Sequence, residues 1–171
     1  ITTFREAIKG LHGNNIDSDI KTERTAHDLN MKIVLGAIVL IILAIAVFPD
    51  IPVSFLGAVL IAVFGFFFSA VSSRMVGLVG GSNNPVSGMA IATLLFATMV
   101  LKSTGDNGTH GMTGAIAIGS IICIIAAMSG DTSQDLKTGY ILGATPRRQQ
   151  LGELIGAAVS AVTIGGVMLL L

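Results

Sequence analysis

Apolar residues run along this chain in long stretches parted by short polar islands, and the lengths predict five helices on the scale of a membrane. The stretches cover residues 31–48, 53–72, 88–101, 113–129 and 151–171. A helix needs roughly 20 mostly apolar residues to cross about 30 Å of hydrocarbon. The first stretch comes near this if Lys32 snorkels to the interface. The third is short enough to be tilted, extended at its ends, or only half a span. Strands are a poor alternative, because period-two alternation is absent and a barrel would need polar residues at every second position of its inner face. The expected fold class is all-α: a polytopic transmembrane helical bundle of about five spans with a broken-helix segment. Residues 1–32 form a polar N-terminal region and residues 33–171 the transmembrane region.

The polar islands hold the candidate chemistry. The first is Gly80-Gly81-Ser82-Asn83-Asn84-Pro85-Val86-Ser87-Gly88-Met89, where a helix is not expected to continue. Pro85 disfavours helical backbone at Asn84, so the incoming helix stops, and Asn84 is expected to cap a new helix with Pro85 at its first position. Unwound backbone within hydrocarbon survives only if buried in protein or lining a watery cavity. A helix N-terminus there, joined by the side chains of Ser82, Asn83, Asn84 and Ser87, suits a carboxylate. Arg74 strengthens this if it faces the same cavity. Two readings stay open on sequence: a re-entrant break inside the bilayer, or a cytoplasmic turn between two spans with Arg74 as a topology determinant.

The second island runs from Ser129 to Tyr140. Asp131 and Gln134 give a cap-like start to a short helix that Gly143 can close, and Thr145-Pro146 then begins another. Asp131 and Asp135 stand four residues apart, on one helical face, where repulsion or partial burial suits a carboxyl that carries protons. Capping for Asp131, and an ion-pair role for Asp135 and Lys137, are the structural alternatives.

Composition agrees with a membrane setting: 52% of residues are hydrophobic and 12% charged, with mean hydropathy +0.83. Net charge is zero, yet the basic residues are unevenly placed. With alternating spans, nine of the ten Lys and Arg fall on one side and Lys102 alone on the other, which makes the first side cytoplasmic. Residues 49–52 then form a tight external turn. The loop 102–112 is also external, and its Asn107-Gly108-Thr109 sequon is a weak signal by itself. Thr3 and Glu6 have capping-box spacing, with Phe4, Ile8 and Leu11 on one face of a short cytoplasmic helix. The mixed charges of residues 17–28 read as a solvated loop, not a nucleic-acid surface.

Other residues have plainer readings. Gly152, Gly156 and Ser160, with Ala157, Ala161 and Gly165 beside them, make small-xxx-small faces that let another helix approach, as do Ala115 and Gly119. This places the last span inside a bundle. Phe64, Phe66, Phe67 and Phe68 read as lipid- or helix-facing bulk. His110 reads as solvent-exposed, and Cys123 as an apolar-span residue with no intrachain partner. No nucleophile and base stand out as a pair, and no His, Cys or carboxylate cluster has metal-ligand spacing. No signal peptide is evident. The start at Ile1 and an end inside an apolar run suggest an excerpt of a larger chain.

The segment SSRMVGLVGGSNNPVSGM at residues 72–89 closely resembles a hallmark of the oligopeptide transporter family, which includes the yellow stripe-like metal-chelate carriers. The segment GDTSQDLKTGYILGATPRRQQ at 130–150 resembles its second hallmark, in the same order, and DLNMK at 28–32 is similar to the start of a family span. Asn30 stands where Pro is common, Gly81 where Ser is common, and Ala90 where Thr is common. The resemblance implies a proton-coupled secondary transporter in the plasma (inner) membrane. Short peptides or amino-acid-based metal chelates are the implied substrates, any metal arriving wrapped in its chelator. Expected partners are substrate, protons, lipid and the remaining spans of the same transporter, with homo-oligomerisation left open and no cofactor. The site residues expected to bind substrate are Arg74, Ser82, Asn83, Asn84 and Ser87; those expected to couple protons are Asp131, Asp135 and Lys137. A channel or a membrane-embedded enzyme is the alternative.

Overall fold

In a computed structural model of the chain, residues 28–48, 51–105 and 108–171 are described. The expected N-terminal helix, most of the charged loop at 17–28, the turn residues Pro49 and Asp50, and Asn107 of the sequon lie outside them. The described residues are helical and contain no strand. The helices are α1 (Met31–Val47), α2 (Phe55–Val79), α3 (Val86–Ser103), α4 (Thr109–Ile141) and α5 (Pro146–Leu170), with a short 3-10 turn at Gly81–Asn83. Of these, α2, α4, α5 and the Gly81–Ser103 segment containing α3 are long and apolar enough to cross a membrane, while α1 is shorter. The described chain is therefore all-helical, with four helices of membrane-spanning length and one shorter apolar helix.

Two compact units divide the described chain, one formed by residues 37–134 and the other by residues 28–36 and 135–171. In the first unit, α2 begins where Pro52 precedes an N-cap: Ser54 is extended and its Oγ accepts from the Gly57 amide at 3.3 Å. Its buried positions Gly57, Ala58, Ile61, Gly65, Ser72 and Val76 recur at helical spacing. On α3 the buried positions are Met89, Thr93, Ala97 and Leu101, four apart. On α4, Ala115, Ile118, Ile122 and Ala126 form the matching stripe, the last three with no exposed surface.

The glycines show which way the helices run. A methyl on Gly57 would stand 3.0 Å from Ile118, and one on Gly65 would stand 3.1 Å from Ile125, so α2 and α4 are parallel. A methyl on Gly114 would lie near Leu101 and one on Gly119 would strike Leu94 at 2.7 Å, so α3 runs antiparallel to α4. The connection at residues 80–85 therefore sits at one end of the three helices and Lys102 at the other, as alternating spans require. Residues 38–45 of α1 lie beside this bundle, where Ile38, Ile42 and Ile45 face Ile61, Gly65 and Ile125 across an apolar groove of about 330 Å³. Phe64 stacks on Phe68 and meets Phe96 edge-on at 5.1 Å, while Phe66 and Phe67 are exposed.

One sequence expectation is corrected in α4. The second polar island does not start a new helix: α4 continues for 33 residues from Thr109 to Ile141, so Asp131 lies mid-helix and is not its N-cap. No proline interrupts the ladder, and Gly130 is packed against α2, which holds the helix through a residue that alone would weaken it. The closure at Gly143 is as expected: its φ is +71°, and the Ala144 amide donates to the Gly139 carbonyl at 2.8 Å.

In the second unit α5 begins at Thr145-Pro146 as predicted. The Gln149 side chain lies over Gly139 and donates from Nε2 to the Asp135 carbonyl at 3.2 Å, and the Leu29 amide donates to Gln150 Oε1 at 3.3 Å. Beyond this α5 has no buried residue, and Gly152, Gly156, Gly165 and Gly166 have nothing within reach of a methyl group. Burial of the last span inside a bundle is not found among the described residues.

Candidate functional site

The helix break is real and is built by three residues. Gly80 has φ +108° and ψ +163°, a conformation open essentially to glycine alone, and it ends α2 with its amide donating to the Val76 carbonyl at 2.9 Å. The 3-10 turn at Gly81–Asn83 follows, and then Asn84 in extended conformation before Pro85, as a residue preceding proline prefers. Pro85 itself takes the N-cap position of α3, with φ −80° and ψ +45°, and no side chain caps that helix. This corrects the expected arrangement by one residue.

Asn84 does not cap α3 because its amide is engaged elsewhere. Nδ2 donates to the Ala126 carbonyl of α4 at 3.2 Å, and Oδ1 lies 3.0 Å from the Ser72 hydroxyl of α2. Ser72, fully buried, also reaches the Ala126 carbonyl at 2.5 Å, so its single proton serves one of two acceptors. Gly130 makes the room. A methyl there would stand 2.5 Å from Asn84 Nδ2, 2.9 Å from Val76 and 3.1 Å from Ser72 Oγ. The residue expected to touch substrate is thus half-buried and tied to two helices.

These contacts belong to a polar seam along the α2–α4 interface. Ser129 Oγ lies 2.8 Å from Ser69 Oγ, and Ser133 Oγ donates to the Ser73 carbonyl at 2.8 Å. A methyl on Gly81 would meet Gln134 Oε1 at 2.6 Å. At residue 81, where a serine is common in the resembling family, the Gln134 amide therefore occupies the space. Sequence reasoning missed Ser72, Gly130, Ser133 and Gln134. Serines recurring at helical spacing in both apolar stretches were the available signal, since small polar side chains bond helices together in lipid.

The remaining expected binding residues, Arg74, Ser82, Asn83 and Ser87, are exposed around the break in the same unit. Asp131 is exposed on α4. Asp135 and Lys137 belong to the second unit, where Asp135 lines a hollow of about 320 Å³ with Thr138, Gln149 and Glu153. Among the described residues no three His, Cys, Asp or Glu side chains come together as metal ligands.

Depth follows from helix length. The 25 residues of α2 rise about 37 Å, more than the roughly 30 Å of hydrocarbon, so the break lies at the end of a full-length span.

Comparison with known proteins agrees with the two sequence motifs. The sequence model of the family described as OPT oligopeptide transporter protein matches residues 2–171. A Haemophilus influenzae protein provisionally named an oligopeptide transporter is 40% identical over 118 residues, which cover 63% of this chain and 19% of its own length. A Saccharomyces cerevisiae protein with the same provisional description is 42% identical over 81 residues, 46% of this chain and 10% of its own. The chain thus spans only a small part of either relative. No solved structure matches it.

Proposed function

The chain belongs to the OPT oligopeptide transporter family, and from that premise we propose that it is part of a proton-coupled secondary carrier moving short peptides or amino-acid-based metal chelates across the plasma membrane. The observation that carries this reading is the family match over residues 2–171, a range that includes the break at residues 80–85. Peptides and such chelates present carboxylates. The start of α3 offers the positive end of a helix dipole with no side chain of its own closing the turn, and Ser82, Asn83 and Ser87 stand exposed beside it. Arg74, one turn before the end of α2, adds a positive charge on the same side of the membrane.

In this reading the break forms the polar mouth of the path at one membrane face. The Arg and Lys count makes that face cytoplasmic and puts residues 1–32 on the same side. Asp131, Asp135 and Lys137, all exposed, are the proton-coupling candidates.

The test is uptake by proteoliposomes of the full-length protein, screened with short peptides and with metal chelates, with and without a pH gradient. Saturable, gradient-dependent accumulation is expected. Asn83→Ala should raise KM about tenfold, the effect of losing one hydrogen bond to a charged group, and Asp135→Asn should flatten the pH profile. Steady current without saturation would point to a channel instead, and recovery of hydrolysed peptide to an enzyme.

A further inference from the structure

We propose that Ser72, Asn84 and Gly130 are positioning residues, a latch that pins the start of α3 to α2 and α4 and fixes the direction in which Ser82, Asn83 and Ser87 face. The importance of that direction for transport rests on the reading of the break as the point of substrate contact. The latch itself rests on geometry alone.

Asparagine is among the strongest N-capping residues, and Asn84 stands one residue before the N-cap position of α3, which Pro85 takes. Its amide nevertheless turns inward, leaving the helix without a side-chain cap. What it gains is a directed pair of contacts: Oδ1 toward the Ser72 hydroxyl at 3.0 Å and Nδ2 toward the Ala126 carbonyl at 3.2 Å. With both ends of the amide assigned, its rotation is fixed, and so is the backbone two residues ahead of the first turn of α3. An apolar side chain would fill the same space without setting an angle.

Gly130 is one turn beyond Ala126 on the same face of α4, and it is the position at which an added methyl would strike both latch partners. Ser72 is fully buried, so its hydroxyl has no water to bond instead. Three elements therefore meet at one carbonyl. The Ser72 hydroxyl and the Asn84 amide both reach it. This explains why the exposed residues of the break can be held in place although they have few contacts of their own.

The experiment uses the full-length protein with Ser87→Cys as the sole cysteine, and reads the rate of labelling by a membrane-impermeant maleimide. Asn84→Ala and Ser72→Ala, which only remove atoms, are each expected to change that rate at least fivefold. Gly130→Ala should do the same, and adding Asn84→Ala to it should change nothing further, because both break one contact. Gly119→Ala, which disturbs α3 against α4 elsewhere, should leave the rate as it was. In the Ser87 background, Asn84→Ala should raise KM for uptake with kcat within about twofold. An unchanged labelling rate in both Asn84→Ala and Ser72→Ala overturns the latch. A changed rate with unchanged uptake supports the latch and removes the break from substrate binding.

Discussion

In the bundle of α2, α3 and α4, glycines stand where a methyl group would strike a neighbour: Gly57 at Ile118, Gly119 at Leu94, Gly130 at Asn84. Along α5 the same residue at similar spacing meets open space, at Gly152, Gly156, Gly165 and Gly166. Lipid tails are as apolar as leucine, so helices in a bilayer are held by close backbone approach and by polar contacts more than by exclusion of water. The bundle uses both devices together. Its small residues bring α2 and α4 near enough for Ser72, Asn84 and Ser133 to bond across the gap, and that closeness is what makes each glycine costly to replace. On α5 the pattern marks a face that can be approached, and among the described residues nothing comes within 4 Å of a methyl group at those glycines.

The contrast is sharpest at Gly130. Gly130→Ala forces a methyl against Asn84 Nδ2 and Val76 and breaks the bonds to Ala126, combining overpacking with loss of a buried polar contact. The expected destabilisation is about 3 kcal/mol, read as a lower thermal midpoint of the full-length protein in detergent. A midpoint equal to wild type would mean that the three elements do not meet as described. The next effect down is Gly119→Ala. Its methyl strikes Leu94 Cγ and Cδ2 at 2.7 Å, but that side chain is half-buried and can give way, so a loss of about 1–2 kcal/mol is expected by the same measurement.

How much of this was legible in the sequence depends on which residues decide it. The helices follow from apolar runs, and the break from Pro85 and the glycines before it, because those signals are local. The extension of α2 past Ser72 to Val79, and of α4 through Gly130 and Asp131 to Ile141, was not read, since polar residues and glycine look like helix ends. They are not ends here. A glycine ends a helix where it turns to positive φ, as Gly80 and Gly143 do, whereas Gly130 stays helical beside a neighbour that compensates for its weak propensity. The role of Asn84 was illegible for a related reason: a capping residue in the right place was diverted by a serine and a carbonyl that only the packing of α2 on α4 brings near. The exposed residues Ser82, Asn83 and Ser87 were legible as candidates. What holds them was not.

The smallest effect tests the other side of the comparison. Among the described residues nothing lies within 4 Å of a methyl placed on Gly156, so Gly156→Ala meets no clash with them and removes a residue that weakens a helix. Propensity alone favours the alanine by up to about 1 kcal/mol, so a midpoint equal to or slightly above wild type is expected. The relatives are several times longer than the segment they share with this chain, and a span from elsewhere in such a protein can lie against α5. If one crosses at Gly156, the methyl would press its backbone away and Gly156→Ala would lower the midpoint in the manner of Gly119→Ala. That result would end the distinction between the two regions, since α5 would then use its glycines as the bundle does. A neutral result at Gly156 combined with a loss at Gly152→Ala would instead move the crossing point one turn toward the start of the helix, near the segment that Gln149 already anchors on Gly139.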